Sequence, residues 1–177
     1  MTPSIQILDG TSLGREKLDR VAAAVNGVFE TGTSILPNTI DLARAFDRSR
    51  GQHNSTALLA QLNTVRPSID EKAILVVDVD LYIPILTFVF GEAQLNGTSA
   101  VVSTHRLQNQ FYGMPHNDEM MLNRLEKEII HELGHNFGLY HCRQFECVMR
   151  SSTYVEEIDL KMAVPCARCR EQLKRSS

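Results

Sequence analysis

The run His131-Glu132-Leu133-Gly134-His135-Asn136-Phe137-Gly138-Leu139-Tyr140-His141 constrains this chain more than any other segment, because its pattern HExxHxxGxxH makes physical sense only around a metal. Residues four apart on a helix lie about 6 Å apart along the axis and nearly on one face, so His131 and His135 can address one ion. A continuing helix would carry His141 about 15 Å from His131, out of reach of the same ion. The chain must turn between them, and Gly138 is the place, since glycine takes the left-handed conformation that ends a helix without a Cβ clash. Three imidazoles around zinc leave one position for water, which is the composition of a catalytic site. Glu132, next to a ligand, lies beside the ion, where a carboxylate can take a proton from that water as general base. HExxH alone also arises by coincidence on helices. Gly138 and His141 at the required offsets favour a catalytic site, with a purely structural zinc as the alternative.

A second ligand set follows directly. Cys142-x4-Cys147 and Cys166-x2-Cys169 have the composition of one tetrahedral thiolate site, suited to structural zinc and closed to water. Such a site over 142–169 would hold the segment after His141 against the C-terminal tail. The competing reading, a redox pair at Cys166 and Cys169, lacks the strand-to-helix setting of that motif.

With 177 residues, one domain spanning 1–177 is the economical expectation, large enough to bury a core without staples. Eighteen basic and 21 acidic residues give a charge of -3 with no long basic block, which argues against a nucleic-acid partner. Met1 to Gly10 does not resemble a secretory signal, and the most apolar stretch, Leu81 to Phe90, is interrupted by Pro84 and too short to span a bilayer. A cytoplasmic monomer with no membrane contact is expected. In a reducing compartment the four cysteines favour metal over disulfides.

Hydrophobic periodicity predicts a strand at Ser4 to Leu8, then a helix from Arg15 to Glu30 that buries Leu18, Val21, Ala22, Val25 and Phe29. A short strand between Thr33 and Leu42 is confined to an edge by Pro37. Asp47 to Asn54 reads as an exposed loop and Ser55 to Leu62 as a short helix. Ala73 to Val77 reads as a strand covered on both faces, ended by the turn formers Asp78 and Asp80. Thr87 to Phe90 and Thr98 to Thr104 are two further strands, with a reverse turn at Asn96-Gly97. The metal-bearing helix enters at Pro115 to Asp118, capped by Asn117 or Asp118, with Met121, Leu122, Leu125, Ile129, Leu133 and Phe137 as its core stripe. This order predicts an α/β layered fold with mixed strand directions. His53, His105 and His116 lack ligand spacing.

His131 to His141 followed by Cys142, Cys147-Val148-Met149 and Cys166-Ala167-Arg168-Cys169 resembles the archaemetzincins, a branch of the metzincin clan of zinc peptidases. Asp78-Val79-Asp80-Leu81-Tyr82, Phe88-Val89-Phe90-Gly91-Glu92-Ala93 and Phe111-Tyr112-Gly113 extend the likeness over nearly the whole chain. The resemblance implies a twisted mixed five-stranded sheet, an active-site helix, and an edge strand lining the substrate cleft, to which Thr87 to Phe90 corresponds. An extended peptide would pair with that edge. It also makes Met149 the methionine of a turn beneath the metal, not a ligand. Arg150-Ser151-Ser152-Thr153-Tyr154 departs from the close Met-x-Tyr form of some metzincins, so the oxyanion role is left unassigned, with Tyr140 and Tyr154 as candidates. The expected activity is zinc-dependent hydrolysis of peptides or small proteins, with one zinc on His131, His135 and His141 and another on Cys142, Cys147, Cys166 and Cys169. A non-catalytic zinc-stabilised peptide-binding protein and a hydrolase of another amide are the alternatives.

Overall fold

The computed structural model describes residues 3–65 and 71–176. In chain order these form β1 (Ile5–Gly10), α1 (Arg15–Phe29), β2 (Thr33–Pro37), β3 (Phe46–Asp47), β4 (Gln52–Asn54), α2 (Ser55–Val65), β5 (Lys72–Val77), β6 (Leu81–Tyr82), β7 (Gly91–Ala93), β8 (Ser99–Ser103), α3 (Asp118–Asn136), α4 (Val155–Asp159) and α5 (Ala167–Ser176). Short 3-10 turns cover Leu42–Ala45, His105–Leu107 and Asn109–Tyr112.

The main sheet runs β2-β1-β5-β8-β7, with the first four strands parallel and β7 antiparallel to β8. This is the mixed five-stranded α/β architecture that the sequence predicts. Parallel strands need both faces covered. Ile5, Ile7, Ile74, Val76, Ala100 and Val102 pack against α1 and α3 on one face, while Leu75, Val77 and Val101 meet the apolar side of α2 on the other. The predicted stripe of α1 is buried at all five positions, and that of α3 at all six. Pro37, which lacks an amide donor, ends β2 at the outer edge of the sheet.

Two strand assignments are corrected. Asp47 to Asn54 is not a free loop: β3 and β4 pair as a small hairpin, and β4 runs parallel to β6 in a second, three-stranded sheet. The Asp47 carboxylate accepts from the Ser49 amide and hydroxyl and from the Tyr82 hydroxyl, which closes the turn that Gly51 completes. Thr87 to Phe90, in turn, is not the edge strand. The Arg50 guanidinium donates to the carbonyls of Leu86 and Thr87, and the Gln52 amide also donates to Thr87, so side chains take the groups a strand partner would use. Only Val89 forms a bridge, to Leu81, and the edge strand begins at Gly91.

Long-range charge pairs fix α3 in place. Arg124, buried, grips both carboxylate oxygens of Asp159 at 2.7 Å and donates to the Leu107 carbonyl and the Asn109 side chain. Among the described residues no helix is long and apolar enough to cross a membrane.

Candidate metal centre

Asn117 starts the site helix by accepting from the Met120 amide, and Asp118 and Glu119 put negative charge in its first turn. The other end decides the site. The Leu139 amide donates to the Gly134 carbonyl and the Gly138 amide to His135, the paired bonds of a left-handed helix stop. Gly138 sits at φ +87°, and any Cβ there would strike the Asn96 side-chain oxygen. The Asn96 amide itself donates to the His135 carbonyl at 2.9 Å, so the β7–β8 turn clasps the helix end. Asn136 adds bonds to the Gln94 and Ser99 carbonyls.

The reversal returns His141 to the other two imidazoles. Ring centroids of His131, His135 and His141 lie 4.7, 5.3 and 4.9 Å apart, and one nitrogen of each falls within 4.8 Å of the others. His131 Nδ1 lies 2.8 Å from the Val148 carbonyl and His135 Nδ1 lies 2.7 Å from the Leu139 carbonyl. A carbonyl only accepts, so each Nδ1 carries the hydrogen and each Nε2 presents a lone pair. Those two Nε2 atoms stand 3.1 Å apart. Zinc–nitrogen bonds of about 2.0–2.1 Å in a tetrahedron require donor separations of about 3.3 Å, so this pair has the spacing of two ligands of one ion, with His141 within 4.8 Å of both. Burial lowers all three imidazoles in pKa, and the Lys161 charge adds to this at each; on His131 the fall is large. Neutral rings are the ligating form.

Glu132 is 6% exposed and lines the same cleft, of about 280 Å³, as His131 and His141. Burial pushes its carboxyl well up, the charges of Glu128 and Glu92 add to the rise, and Lys161 opposes it. Gly91 of the edge strand passes directly over it: a Cβ at Gly91 would stand 2.7 Å from the Val101 carbonyl and 2.9 Å from the Glu132 Cγ and Oε1. The site floor is Met149, fully buried, its thioether packed against Gly134. A soft thioether suits such a gap. Tyr140 and Tyr154 are 70% and 66% exposed.

The four cysteines form a second group, with one sulfur of each within 4.8 Å of the rest. Cys142 and Cys166 sulfurs are 3.8 Å apart, as are those of Cys147 and Cys169, and none is in a disulfide. Zinc–thiolate bonds of about 2.3 Å give tetrahedral edges of about 3.8 Å, so this set fits as well. Backbone amides of Gln144 and Cys166 donate to Cys142 and Cys147 sulfurs, as a thiolate cluster needs. Burial alone would raise the Cys166 thiol, but hydrogen bonds from Cys169 and the neighbouring thiols outweigh it and lower it to about 7. The Cys142 amide also donates to the Met149 carbonyl, which ties this cluster to the floor of the histidine group.

His53, His105 and His116 stay apart from both groups: His53 packs on Phe46, His105 on Phe111, and His116 reaches Asp118. Sequence reasoning missed Glu128, which lines the cleft, and Lys161, which pairs with it from behind. Glu128 precedes Glu132 by one helical turn, a signal that was available; Lys161 arrives from a distant segment and had none.

Residues 14–175 match the model of the peptidase family described as Peptidase family M54. An archaemetzincin from Methanocaldococcus jannaschii is 41% identical over 140 residues, covering 79% of this chain and 76% of the relative. A crystal structure described as a zinc-dependent peptidase from Methanocorpusculum labreanum is similar at TM-score 0.87 and 31% identity, covering 96% of this chain and 99% of the other. That of an archaemetzincin from Methanopyrus kandleri is similar at TM-score 0.84 and 33% identity, covering 98% and 94%.

Proposed function

This chain belongs to peptidase family M54, the archaemetzincins, and from that premise we propose that it cleaves peptide bonds with His131, His135 and His141 as zinc ligands and Glu132 as general base. The observation that carries the reading is the pair of imidazoles whose Nδ1 atoms are anchored on carbonyls while their Nε2 atoms converge beside a buried carboxylate. Zinc held by His131, His135 and His141 would supply Lewis acidity, activating water near neutral pH and polarising the substrate carbonyl.

Glu132 shares the cleft with the ligands and so can reach the attacking water; it takes the proton and passes it to the departing amine. No side-chain nucleophile enters the sequence of steps, so no acyl-enzyme forms. An extended peptide lies along β7, the outer strand of the sheet, and main-chain hydrogen bonds bring its scissile carbonyl to the histidine group. Cys142, Cys147, Cys166 and Cys169 hold a second, structural zinc with no place for water. We further propose a single-domain cytoplasmic monomer acting on peptides or small proteins, with no nucleic-acid or membrane partner.

The test is Glu132→Gln, assayed with zinc content measured on the same preparation against a mixed peptide library. Zinc should stay at the wild-type level while cleavage falls by roughly 10²- to 10⁴-fold. Cleavage at the wild-type rate would remove Glu132 from the mechanism. Full zinc loading of the wild type with no product from any peptide would instead favour a peptide-binding protein.

A further inference from the structure

The cleft beside the histidine group is mostly apolar, walled by Leu86, Phe88, Val89 and Phe90. On its helical wall stands a carboxylate that the proposed mechanism does not use. Glu128 is 4% exposed, lines the cleft together with His131 and Glu132, and accepts a hydrogen bond from Lys161 Nζ at 3.4 Å. Lys161 is itself 4% exposed and does not line the cleft, so the pair presents its acidic member to whatever enters.

Packing alone does not call for charges here. A buried ion pair is in general no more stabilising than an apolar pair of the same volume, and Leu86, Phe88, Val89 and Phe90 already supply an apolar wall. Binding cavities commonly combine apolar walls with a few placed polar groups, and those groups set which ligand is accepted. A carboxylate has about four acceptor positions and no donor when ionised. Among the described residues Glu128 has one partner, Lys161, and that bond is long. The remaining acceptors are open to N–H donors of a ligand in the cleft, and a cation supplies the strongest ones.

Resting on the peptidase reading above, we propose that Glu128 is a specificity-determining residue that selects peptides with lysine or arginine beside the scissile bond. Glu128 lies one helical turn from Glu132, so the side chain it meets belongs to a residue flanking the reacting carbonyl. Lys161 acts as a positioning residue, holding one oxygen of Glu128 and leaving the other to the substrate.

The zinc-loaded enzyme is assayed on end-blocked peptides that differ only in the residues flanking one cleavable bond. Lysine or arginine at one flanking position should be favoured over leucine in kcat/KM by roughly tenfold or more. Glu128→Leu should reverse that order, and Glu128→Gln should narrow it. Because Glu128→Leu strands the Lys161 charge and can impair folding, Glu128→Leu combined with Lys161→Met replaces the whole pair by apolar side chains and should show the same reversal. A wild-type preference that is flat or favours leucine, or a basic preference that survives these substitutions, overturns the proposal. If no peptide is cleaved at all, the hydrolytic reading fails, and calorimetry on two hydroxamate peptides, one bearing a lysine side chain and one a leucine, decides this inference separately. Tighter binding of the lysine compound, lost in Glu128→Gln, supports it; equal or weaker binding overturns it.

Discussion

Gly91 brings the sheet edge close against the Glu132 carboxylate. Its missing Cβ would face the Val101 carbonyl at 2.7 Å and the Glu132 side chain at 2.9 Å, and a main-chain carbonyl in a paired strand cannot move aside. Gly91→Ala should therefore displace Glu132 or the edge strand, cutting kcat/KM by roughly 10²-fold through misplacement while zinc content stays unchanged. Kinetics with metal analysis on one preparation checks this; wild-type kcat/KM would show that the carboxylate is free to relocate. The grouping of the three imidazoles was legible because a shared ion would impose their spacing: His131 and His135 one helical turn apart, His141 beyond a glycine, with Glu132 next to His131. Gly91 was not, since its requirement comes from Val101 and Glu132, which only the fold brings near.

At the scale of elements, the stop of α3 carries the most consequence. Gly138 occupies a left-handed conformation that costs other residues on the order of 1 kcal/mol, and its Cβ would also push on Asn96. Gly138→Ala should lower unfolding free energy by about 1–3 kcal/mol and weaken zinc retention, because the same turn returns His141 to the other imidazoles. Denaturant melts and competition with a chelator measure the two effects; loss of stability with undiminished zinc affinity would uncouple the turn from the ligand. Periodicity announced α1, α3 and β5, whose burial patterns are regular over several turns or a whole strand. The edge strand was displaced by a few residues. Thr87 to Phe90 has the composition of a strand, but Arg50 and Gln52 occupy the Thr87 carbonyl and Arg50 also that of Leu86, and that competition lies outside any local window. The same long-range satisfaction turned the polar stretch 47–54 into a hairpin.

Across the whole molecule, the histidine and cysteine groups are joined through shared backbone. Val148, between Cys147 and Met149, gives its carbonyl to His131, and Met149 gives its own to the Cys142 amide. Cys169→Ser should therefore lower the thermal midpoint and, at the same time, reduce zinc retention by the histidine group, since the wall that orients His131 loosens. Differential scanning calorimetry with metal titration tests it; an unchanged histidine-site affinity would make the cysteine cluster merely a local staple. The cysteine spacing announced that the four sulfurs meet, and the His141-Cys142 junction announced that their group adjoins the histidine one. The Glu128–Lys161 pair, 33 residues apart, could not be paired from the sequence.

That junction sets a rule for how the chain can vary in length. His141 and Cys142 are consecutive, so the spacer between the two ligand groups has zero length and accepts neither insertion nor deletion without pulling one group out of register. Residues 150–165 carry none of these seven side chains, but Asp159 and Lys161 within them are held by α3, so a change of length is tolerated only in the turns on either side of that anchored stretch.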